Sequence, residues 1–352
     1  MGRFRYTVLS PMPILKYRKS TLEPLSRLVP EISYVMCGAR GESSSKLMRA
    51  LPQTRFYGFE VRGGPGRGRA ASSVGRAQLK YFPVAVGGQK GTRTLYVTGH
   101  PACSSLIAPN EELLKPFLAA PRMRFAKETT LEVAALDEYL PAAGVSRIDF
   151  LDLDTQGSEF EILQGAKQLL GAGTAVVKSE VELSPMYRDQ PLFADVDRYL
   201  REAGFLLFDL RRSRYRRTAL PAQALTRGQL LCGDAWWLRD YRLLGAAGQK
   251  ERLFTLCLLA AQLQFHDYAL EILEYSGGDS ALSLTPEEKD AVEKTREQYL
   301  RDLARGARWN KVLGAAFSIG LAAPIKEVGR LASQVGDRLK TDHDMTEPNW
   351  ED

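Results

Sequence analysis

Short apolar runs alternate with amphipathic segments over the first two thirds of the chain, and this alternation predicts its secondary structure. Strands are predicted at residues 32–37, 55–61, 80–86, 92–98, 148–153, 175–183, 205–210 and 230–238, with a further short strand and helix within 131–140. Apolar residues at helical spacing follow several of these runs, as in Phe160, Leu163, Ala166 and Leu170. Because strands and helices alternate, the pattern predicts an α/β fold with a doubly wound, mostly parallel sheet.

The pattern changes after about residue 240, where only helical spacing remains. Helices are predicted at 253–265, 268–275, 286–309 and 311–331. The sequence therefore divides into an N-terminal arm (1–30), a sheet domain (31–240), a helical appendage (241–335) and a disordered, charged tail (336–352). The appendage is also a candidate surface for homo-oligomer formation.

The segment 148–166, IDFLDLDTQGSEFEILQGA, is the richest in candidate chemistry. Asp152 and Asp154 are two residues apart on a predicted strand, so both point to one face of the sheet. Ser158 and Glu161 have the spacing of a capping box for the helix that follows. Ligands of open α/β sheets bind at the carboxyl ends of the strands, which is where these acids lie. The alternative is an ordinary strand–helix unit whose acids only cap the helix.

A second candidate site follows the first predicted strand, where the glycine-containing turn 38–41 precedes a predicted helix at 43–51. Such a turn brings backbone N–H groups close to a bound ligand. Glu60, about twenty residues further on, stands near the end of the second strand, where an acid commonly holds a ribose diol. The pair favours a nucleotide-like ligand, and the alternative is a surface acid beside a common turn.

Two basic segments are interpreted as surface loops. The segment 62–80 is rich in glycine and arginine; its first half predicts a loop and its second half, 70–79, a short crossover helix. The run RRSRYRR at 211–217 predicts a solvated hairpin loop between the last two strands.

Composition narrows the class of protein. The chain has 352 residues and a formal net charge of +6, which is too small to indicate a nucleic-acid partner. Its four cysteines are scattered without a CxxC pair, a usage typical of reduced thiols in the cytoplasm, and its three histidines do not favour a histidine-rich metal site. No apolar run is long enough to predict a transmembrane helix.

The motifs taken together resemble the FkbM-type S-adenosylmethionine-dependent methyltransferases. The resemblance is carried by LDLDTQGSEFEILQGA, by GARGE with FYGFE, by FPVAVGGQKGTRTLYVTG, by LEVAALDEYL and by EVELSPMYRDQPLFADVDRYLREAGFLLFDL. These stretches occur in the family's order and cover roughly residues 32–240. The resemblance implies a class I methyltransferase (Rossmann-like) fold that binds S-adenosylmethionine at the carboxyl edge of the sheet and methylates a hydroxyl of a sugar, polysaccharide or related small molecule.

The resemblance also implies roles for individual residues. It places the cofactor against Gly38, Ala39, Arg40, Gly41, Glu60 and Ala85, with Glu60 on the ribose and Ala85 beside the adenosine. Asp154 is the expected base or orienting group, and Asp152 supports it. Glu180 or Glu182 is an alternative partner for a sugar hydroxyl. No metal is assigned, although a magnesium ion bridging Asp154, Glu180 and a diol is left open.

The first turn departs from the family pattern, because Met36 and Cys37 stand where the family usually has an acid. That departure keeps a second hypothesis open, a non-catalytic module with a methyltransferase-like fold and a degenerate cofactor turn. A nicotinamide-dependent oxidoreductase is a third hypothesis, and the absence of a full GxGxxG motif argues against it.

Overall fold

The fold is given by a computed structural model, which describes residues 19–38, 50–61, 71–74, 77–219, 226–278, 282–318 and 342–344. Several predicted features lie outside the described residues: the first part of the N-terminal arm, residues 43–49 of the helix predicted at 43–51, the loop at 62–70 and most of the tail. Ala39, Arg40 and Gly41 of the predicted cofactor turn also lie outside them.

Nine strands form the central sheet, in the order β12-β10-β11-β9-β8-β1-β2-β4-β3. Their bounds are β1 Ile32–Cys37, β2 Thr54–Phe59, β3 Ala71–Val74, β4 Ala77–Phe82, β8 Phe150–Leu153, β9 Val176–Glu182, β10 Phe205–Tyr215, β11 Gln229–Arg239 and β12 Asp342–Asp344. Strands β4, β2, β1, β8 and β9 are parallel, and β11 is antiparallel to both of its neighbours. The predicted doubly wound α/β sheet is confirmed, and the strand order reverses at β1.

A second, smaller sheet corrects two of the strand predictions. It contains β5 (Ala85–Val86), β6 (Gly91–Thr98) and β7 (Phe125–Ala134) in the order β5-β7-β6. The strand predicted at 80–86 is in fact two strands in different sheets, because Pro83, which has no N–H to donate, separates β4 from β5. The strand predicted at 92–98 is present as β6, but it pairs with β7 and not with the central sheet.

Two further predictions are wrong for the same physical reason, which is that strand pairing overrides local preference. The helix predicted at 70–79 is replaced by the hairpin of β3 and β4, because β4 pairs with β2. The basic run at 211–217 is not a loop over most of its length, since β10 continues to Tyr215 and pairs with β11. The edge of that strand also carries β12, so residues 342–344 of the predicted disordered tail are ordered by pairing with Arg212–Arg214.

The helices cover both faces of the sheet. Their bounds are α1 Glu23–Ser26, α2 Glu111–Leu114, α3 Ala120–Met123, α4 Leu136–Ala142, α5 Glu159–Gln164, α6 Lys167–Gly171, α7 Phe193–Glu202, α8 Tyr241–Ala246, α9 Lys250–Gln262, α10 His266–Gly277 and α11 Pro286–Ser318. Helices α4 to α7 pack on the face that carries Val35 and Leu151. Helices α9 and α10 pack on the opposite face, against Tyr34 and Phe150. Strands β1 and β8 are buried along their whole length because both of their faces are covered.

The C-terminal helices agree with the predicted helical region but differ in detail. Predicted helices at 286–309 and 311–331 are a single helix as far as the description extends, because nothing in the sequence at Asn310 interrupts the backbone hydrogen-bond ladder. The helices share one hydrophobic core with the sheet, through residues such as Leu256 and Ile272. The division into a sheet domain and an appendage, with its boundary near residue 240, stays a prediction.

Arg239 ties the end of β11 to the ends of three neighbouring segments. Its side chain is buried, and its guanidinium donates to the carbonyl oxygens of Leu170, Thr174 and Ala203. The guanidinium also stacks 3.9 Å from the centre of the Phe205 ring. Burial lowers the pKa of Arg239 to about 10. One side chain therefore supplies donors to three carbonyls at the ends of neighbouring segments.

We expect Arg239→Met to lower the free energy of unfolding by about 2 kcal/mol, because methionine fills the space but removes the guanidinium hydrogen bonds to three carbonyls. Urea denaturation of the two proteins measures this difference. Arg242→Met is the matched control, since the Arg242 side chain is exposed and forms its ion pair with Asp240 at the surface. Equal midpoints for the Arg239 variant and the wild type would show that these hydrogen bonds do not support the fold.

Candidate functional site

The turn between β8 and α5 has an unusual backbone, and it positions the central acids. Gln156 has a φ of 62° and Gly157 a φ of 101°, so two consecutive residues are left-handed. The buried Glu159 carboxylate holds this turn by accepting from the Thr155 N–H at 2.6 Å and from the Gly157 N–H at 2.8 Å. Burial raises the pKa of Glu159 to about 7. The chain thus leaves β8 through a tight turn that faces Asp154 toward the sheet edge.

The predicted capping box is therefore wrong. The Ser158 hydroxyl donates to Thr155, and its oxygen accepts no hydrogen bond from a helix N–H. Glu161 forms a surface ion pair with Arg93 at 3.1 Å. Glu159 replaces them because its carboxylate reaches back over the turn, where two N–H groups would otherwise lack acceptors.

A cavity of about 530 Å³ opens at the carboxyl edge of the sheet, between the ends of β1 and β8 and the small sheet. Its lining includes Gly38, Glu60, Ala85, Asp154 and Glu180. These five of the predicted site residues are thus brought together around one space. Asp152 and Glu182 are buried behind the wall and do not line it.

Gly38 lies where β1 ends, in contact with the end of β8. Its φ is +84°, and a Cβ built on it would stand 1.9 Å from the carbonyl oxygen of Asp154. Its N–H donates to the carbonyl of Phe59 at 3.1 Å. Only glycine fits this conformation and this space, so the edge of the cavity here is bare backbone.

A lysine that the sequence analysis did not select organises the charges beneath the cavity. Lys178 Nζ lies 3.0 Å from Asp152 Oδ1 and 3.5 Å from Asp234 Oδ1. The Tyr34 hydroxyl donates to the second oxygen of Asp152 at 2.6 Å, and Arg211 pairs with Asp234 at 2.5 Å. The acids around Lys178 raise its pKa against the lowering effect of burial. The negative charge of Asp152 is therefore balanced by the ammonium group of Lys178, within the wall of the cavity.

Asp154 and Glu180 face the cavity. Within the described part of the chain, neither carboxylate forms a direct ion pair with a lysine or an arginine. Both pKa values are raised by burial, that of Glu180 well above its ordinary range. Lys178 acts in the opposite direction on Asp154, and so does a hydrogen bond from Gln156. Carboxyl groups with raised pKa values at a cavity wall are suited to accept a proton near neutral pH.

Sequence reasoning missed three parts of the cavity lining: Lys178, Gln156 and the segment 100–106. A signal for Lys178 was present, since a lysine inside an apolar, buried strand needs acidic partners. The segment 100–106, HPACSSL, has no local pattern that shows that it lines a cavity at the sheet edge.

No group of three or more histidine, cysteine or acidic side chains is arranged to hold a metal ion within the described part of the chain. The bridging magnesium that the sequence left open thus has no complete protein ligand set there. Each of the described helices is also too short or too polar to cross a bilayer.

The chain matches a known protein family over part of its length. Residues 41–207 match the family model of the methyltransferase FkbM domain. Residues 41–207 form an FkbM methyltransferase domain. The matched range holds Glu60, Ala85, Asp154 and Glu180, four of the five predicted residues that line the cavity. The protein is therefore a methyltransferase of the S-adenosylmethionine-dependent class.

Individual proteins similar to this chain include a relative by sequence and two solved structures. The chain is 23% identical over 207 residues to the 2-O-methyltransferase NoeI of Sinorhizobium fredii, covering 56% of this chain and 82% of that protein. Among solved structures it is similar to a methyltransferase FkbM of Methylobacillus flagellatus, with 14% identity, a TM-score of 0.33, and 59% and 44% of the two chains covered. It is also similar to the magnesium protoporphyrin IX methyltransferase ChlM of Synechocystis, with 12% identity, a TM-score of 0.31, and 63% and 79% covered.

The FkbM domain implies S-adenosylmethionine as methyl donor, and the described residues fit that group. The cavity volume is within the range of small-molecule sites. Bare backbone at Gly38 permits close approach of a ligand, and the Glu60 carboxylate stands at the end of the neighbouring strand, within the same cavity. The carboxylates that line the cavity, Glu60, Asp154 and Glu180, also suit a cofactor that carries a positive sulfonium.

Proposed function

We propose that this FkbM methyltransferase transfers a methyl group to a hydroxyl oxygen of a sugar, a polysaccharide or a related small molecule. The observation that carries the proposal is the placement of Asp154 at the wall of the cavity, in contact with Gly38 on one side and linked to Glu180 on the other. The similarity to a 2-O-methyltransferase supports oxygen as the methylated atom.

In the proposed site the cofactor is held by Gly38, Glu60 and Ala85, together with residues 39–41. Glu60 accepts hydrogen bonds from the ribose hydroxyls, and Ala85 lies beside the adenosine because its small side chain leaves room for a flat ring. When bound, the cofactor supplies an electrophilic methyl group on a positively charged sulfur.

Asp154 is the proposed base. The bound cofactor would supply the methyl group, and the Asp154 carboxylate would take the hydrogen of an acceptor hydroxyl in the cavity as its oxygen is methylated. The proton ends on Asp154, whose raised pKa suits it to keep that proton. Glu180 orients the acceptor from β9, and Asp152 contributes from within the wall by fixing Lys178.

We expect Asp154→Asn to lower the rate of methyl transfer by about 100-fold, because the amide cannot take the proton. The dissociation constant for S-adenosylmethionine should change little. The measurements are transfer of a labelled methyl group to a panel of methyl glycosides and isothermal titration with the cofactor. Asp290→Asn is the control, since Asp290 is exposed on α11. Wild-type rates in the Asp154 variant, with intact cofactor binding, would exclude Asp154 as the base.

One observation favours a second candidate, a non-catalytic module with a methyltransferase-like fold. Cys37 ends β1 where a carboxylate would help hold the cationic end of the cofactor, and burial keeps its thiol protonated by raising its pKa. Titration calorimetry separates the two candidates, because this module would show neither heat nor a thermal shift with S-adenosylmethionine.

We also propose that the protein works in the cytoplasm. The support is that its four cysteines, Cys37, Cys103, Cys232 and Cys257, are all buried free thiols. Such unpaired cysteines are typical of reducing compartments.

A further inference from the structure

We propose that Gln156 is a positioning residue, whose carboxamide holds Asp154 and Glu180 side by side as one pair facing the acceptor. The Tyr187 hydroxyl fixes the orientation of that carboxamide. The inference rests on the proposed function only for the identity of the acceptor, since the pairing itself is a property of the protein alone.

The hydrogen bonds of the Gln156 side chain carry the proposal. Its Nε2 lies 2.9 Å from Asp154 Oδ1 and also donates to Glu180 Oε2. A primary amide has two N–H hydrogens, so one nitrogen can serve both carboxylates. Its Oε1 accepts from the Tyr187 hydroxyl at 3.1 Å. The carboxamide therefore presents its nitrogen to the two acids and its oxygen to the tyrosine.

The surroundings make this arrangement rigid. Tyr187 is completely buried, and its backbone N–H donates to Gln190 Oε1 at 2.6 Å. Its hydroxyl has one hydrogen, which Gln156 Oε1 and the carbonyl oxygen of Cys103 share, each 3.1 Å from the hydroxyl. Cys103 belongs to the segment 100–106, which lines the cavity. A Cβ on Gly157 would stand 2.9 Å from the Tyr187 ring, so turn and ring are packed closely. Tyr187 thus connects Gln156, and through it the two acids, to the segment 100–106.

The backbone of Gln156 supports a positioning role. A φ of 62° is uncommon for glutamine and more acceptable to asparagine or glycine. A glutamine at this position therefore bears a conformational cost that the shorter amide would reduce. Its longer side chain is what reaches from the turn to Glu180 on the neighbouring strand.

Charged groups from three strands and from the start of α5 face the pair. Around Asp154 these are Lys178, Asp234 and Asp152, and around Glu180 they are Asp154, Glu182, Glu159 and Asp234. Acids outnumber the single lysine, so the field of the site favours protonation of the pair. The amide donors of Gln156 act against that field, because hydrogen bonds to the ionised form lower a carboxyl pKa. Gln156 therefore keeps the pair ready to receive a proton.

The test is Gln156→Asn, which suits the left-handed backbone but is one methylene too short to bridge the two acids. In protein labelled with carbon-13 at the Asp and Glu carboxyl groups, the Asp154 and Glu180 titrations should move upward by about one pH unit. Their signals are assigned with Asp154→Asn and Glu180→Gln. Methyl transfer to methyl glycosides should fall about tenfold below neutral pH, with the S-adenosylmethionine dissociation constant unchanged.

Two further variants sharpen the result. Tyr187→Phe should move the same titrations in the same direction by less, because the amide loses its orienting donor and keeps its own N–H groups. Gln164→Ala, an exposed position at the end of α5, should titrate as the wild type does. Unchanged titrations in Gln156→Asn would overturn the proposal. If the wild type methylates no glycoside, the proposed function fails, and the carboxyl titrations still decide the role of Gln156.

Discussion

Gly38→Ala is expected to abolish cofactor binding and to lower the free energy of unfolding by about 3 kcal/mol or more. Alanine at a φ of +84° is strained, and its Cβ would stand 1.9 Å from the Asp154 carbonyl oxygen. That contact is backbone on backbone, so no side-chain rotation relieves it. The ends of β1 and β8 must separate, and the cofactor edge and Asp154 lose their mutual placement. Urea denaturation and titration calorimetry with S-adenosylmethionine measure the two effects.

Gly144→Ala provides the matched control for Gly38. Gly144 has nearly the same conformation, with a φ of +82°, and an added Cβ there meets nothing within 4 Å. Gly144→Ala should lower the free energy of unfolding by about 1 kcal/mol, because alanine is strained at a positive φ even where there is space for its Cβ. Cofactor binding should be unchanged. If both variants are equally destabilised and both bind cofactor, the close contact of Gly38 with Asp154 does not shape the site.

Lys178→Met is expected to lower the free energy of unfolding by about 3 to 5 kcal/mol. The lysine ammonium lies 3.0 Å from Asp152, whose side chain is 1% exposed, and 3.5 Å from Asp234. Methionine fills the volume but leaves a buried carboxylate without its counter-charge. The loss should also raise the pKa of Asp154 further, since Lys178 lowers it. Thermal and urea unfolding check the first effect, and carboxyl titration checks the second.

The pH range of this contribution follows from the direction of the lysine shift. The folded-state pKa of Lys178 is raised above its unfolded value, so the stabilisation is present below the unfolded pKa, about 10.4, and disappears only as the pH rises through the folded value. The deficit of Lys178→Met should therefore persist from neutral pH to about pH 10. Lys294→Met is the control: Lys294 pairs with Asp290 on the exposed side of α11 and should contribute less than about 0.5 kcal/mol. A Lys178 variant as stable as this control would contradict the argument.

The amino-acid sequence by itself determined the class of the fold and the edge of the sheet at which the cavity opens. Apolar runs of strand length appear as β1, β8 and β9, because a strand covered on both faces must be apolar nearly throughout. Gly38, Glu60 and Asp154 could be selected because each follows or ends such a strand, and carboxyl ends of parallel strands converge.

Only the tertiary structure decided which polar groups meet. Asp152 and Asp154 share a strand face, yet Asp152 is neutralised by Lys178 within the wall while Asp154 faces the cavity. Gln156 joins Asp154 to Glu180 across two strands, and Tyr187 approaches from a later loop. Such contacts depend on strand register and turn conformation, which local residue patterns do not encode. The side of the sheet on which α9 and α10 pack was likewise set by which apolar face the other helices left uncovered.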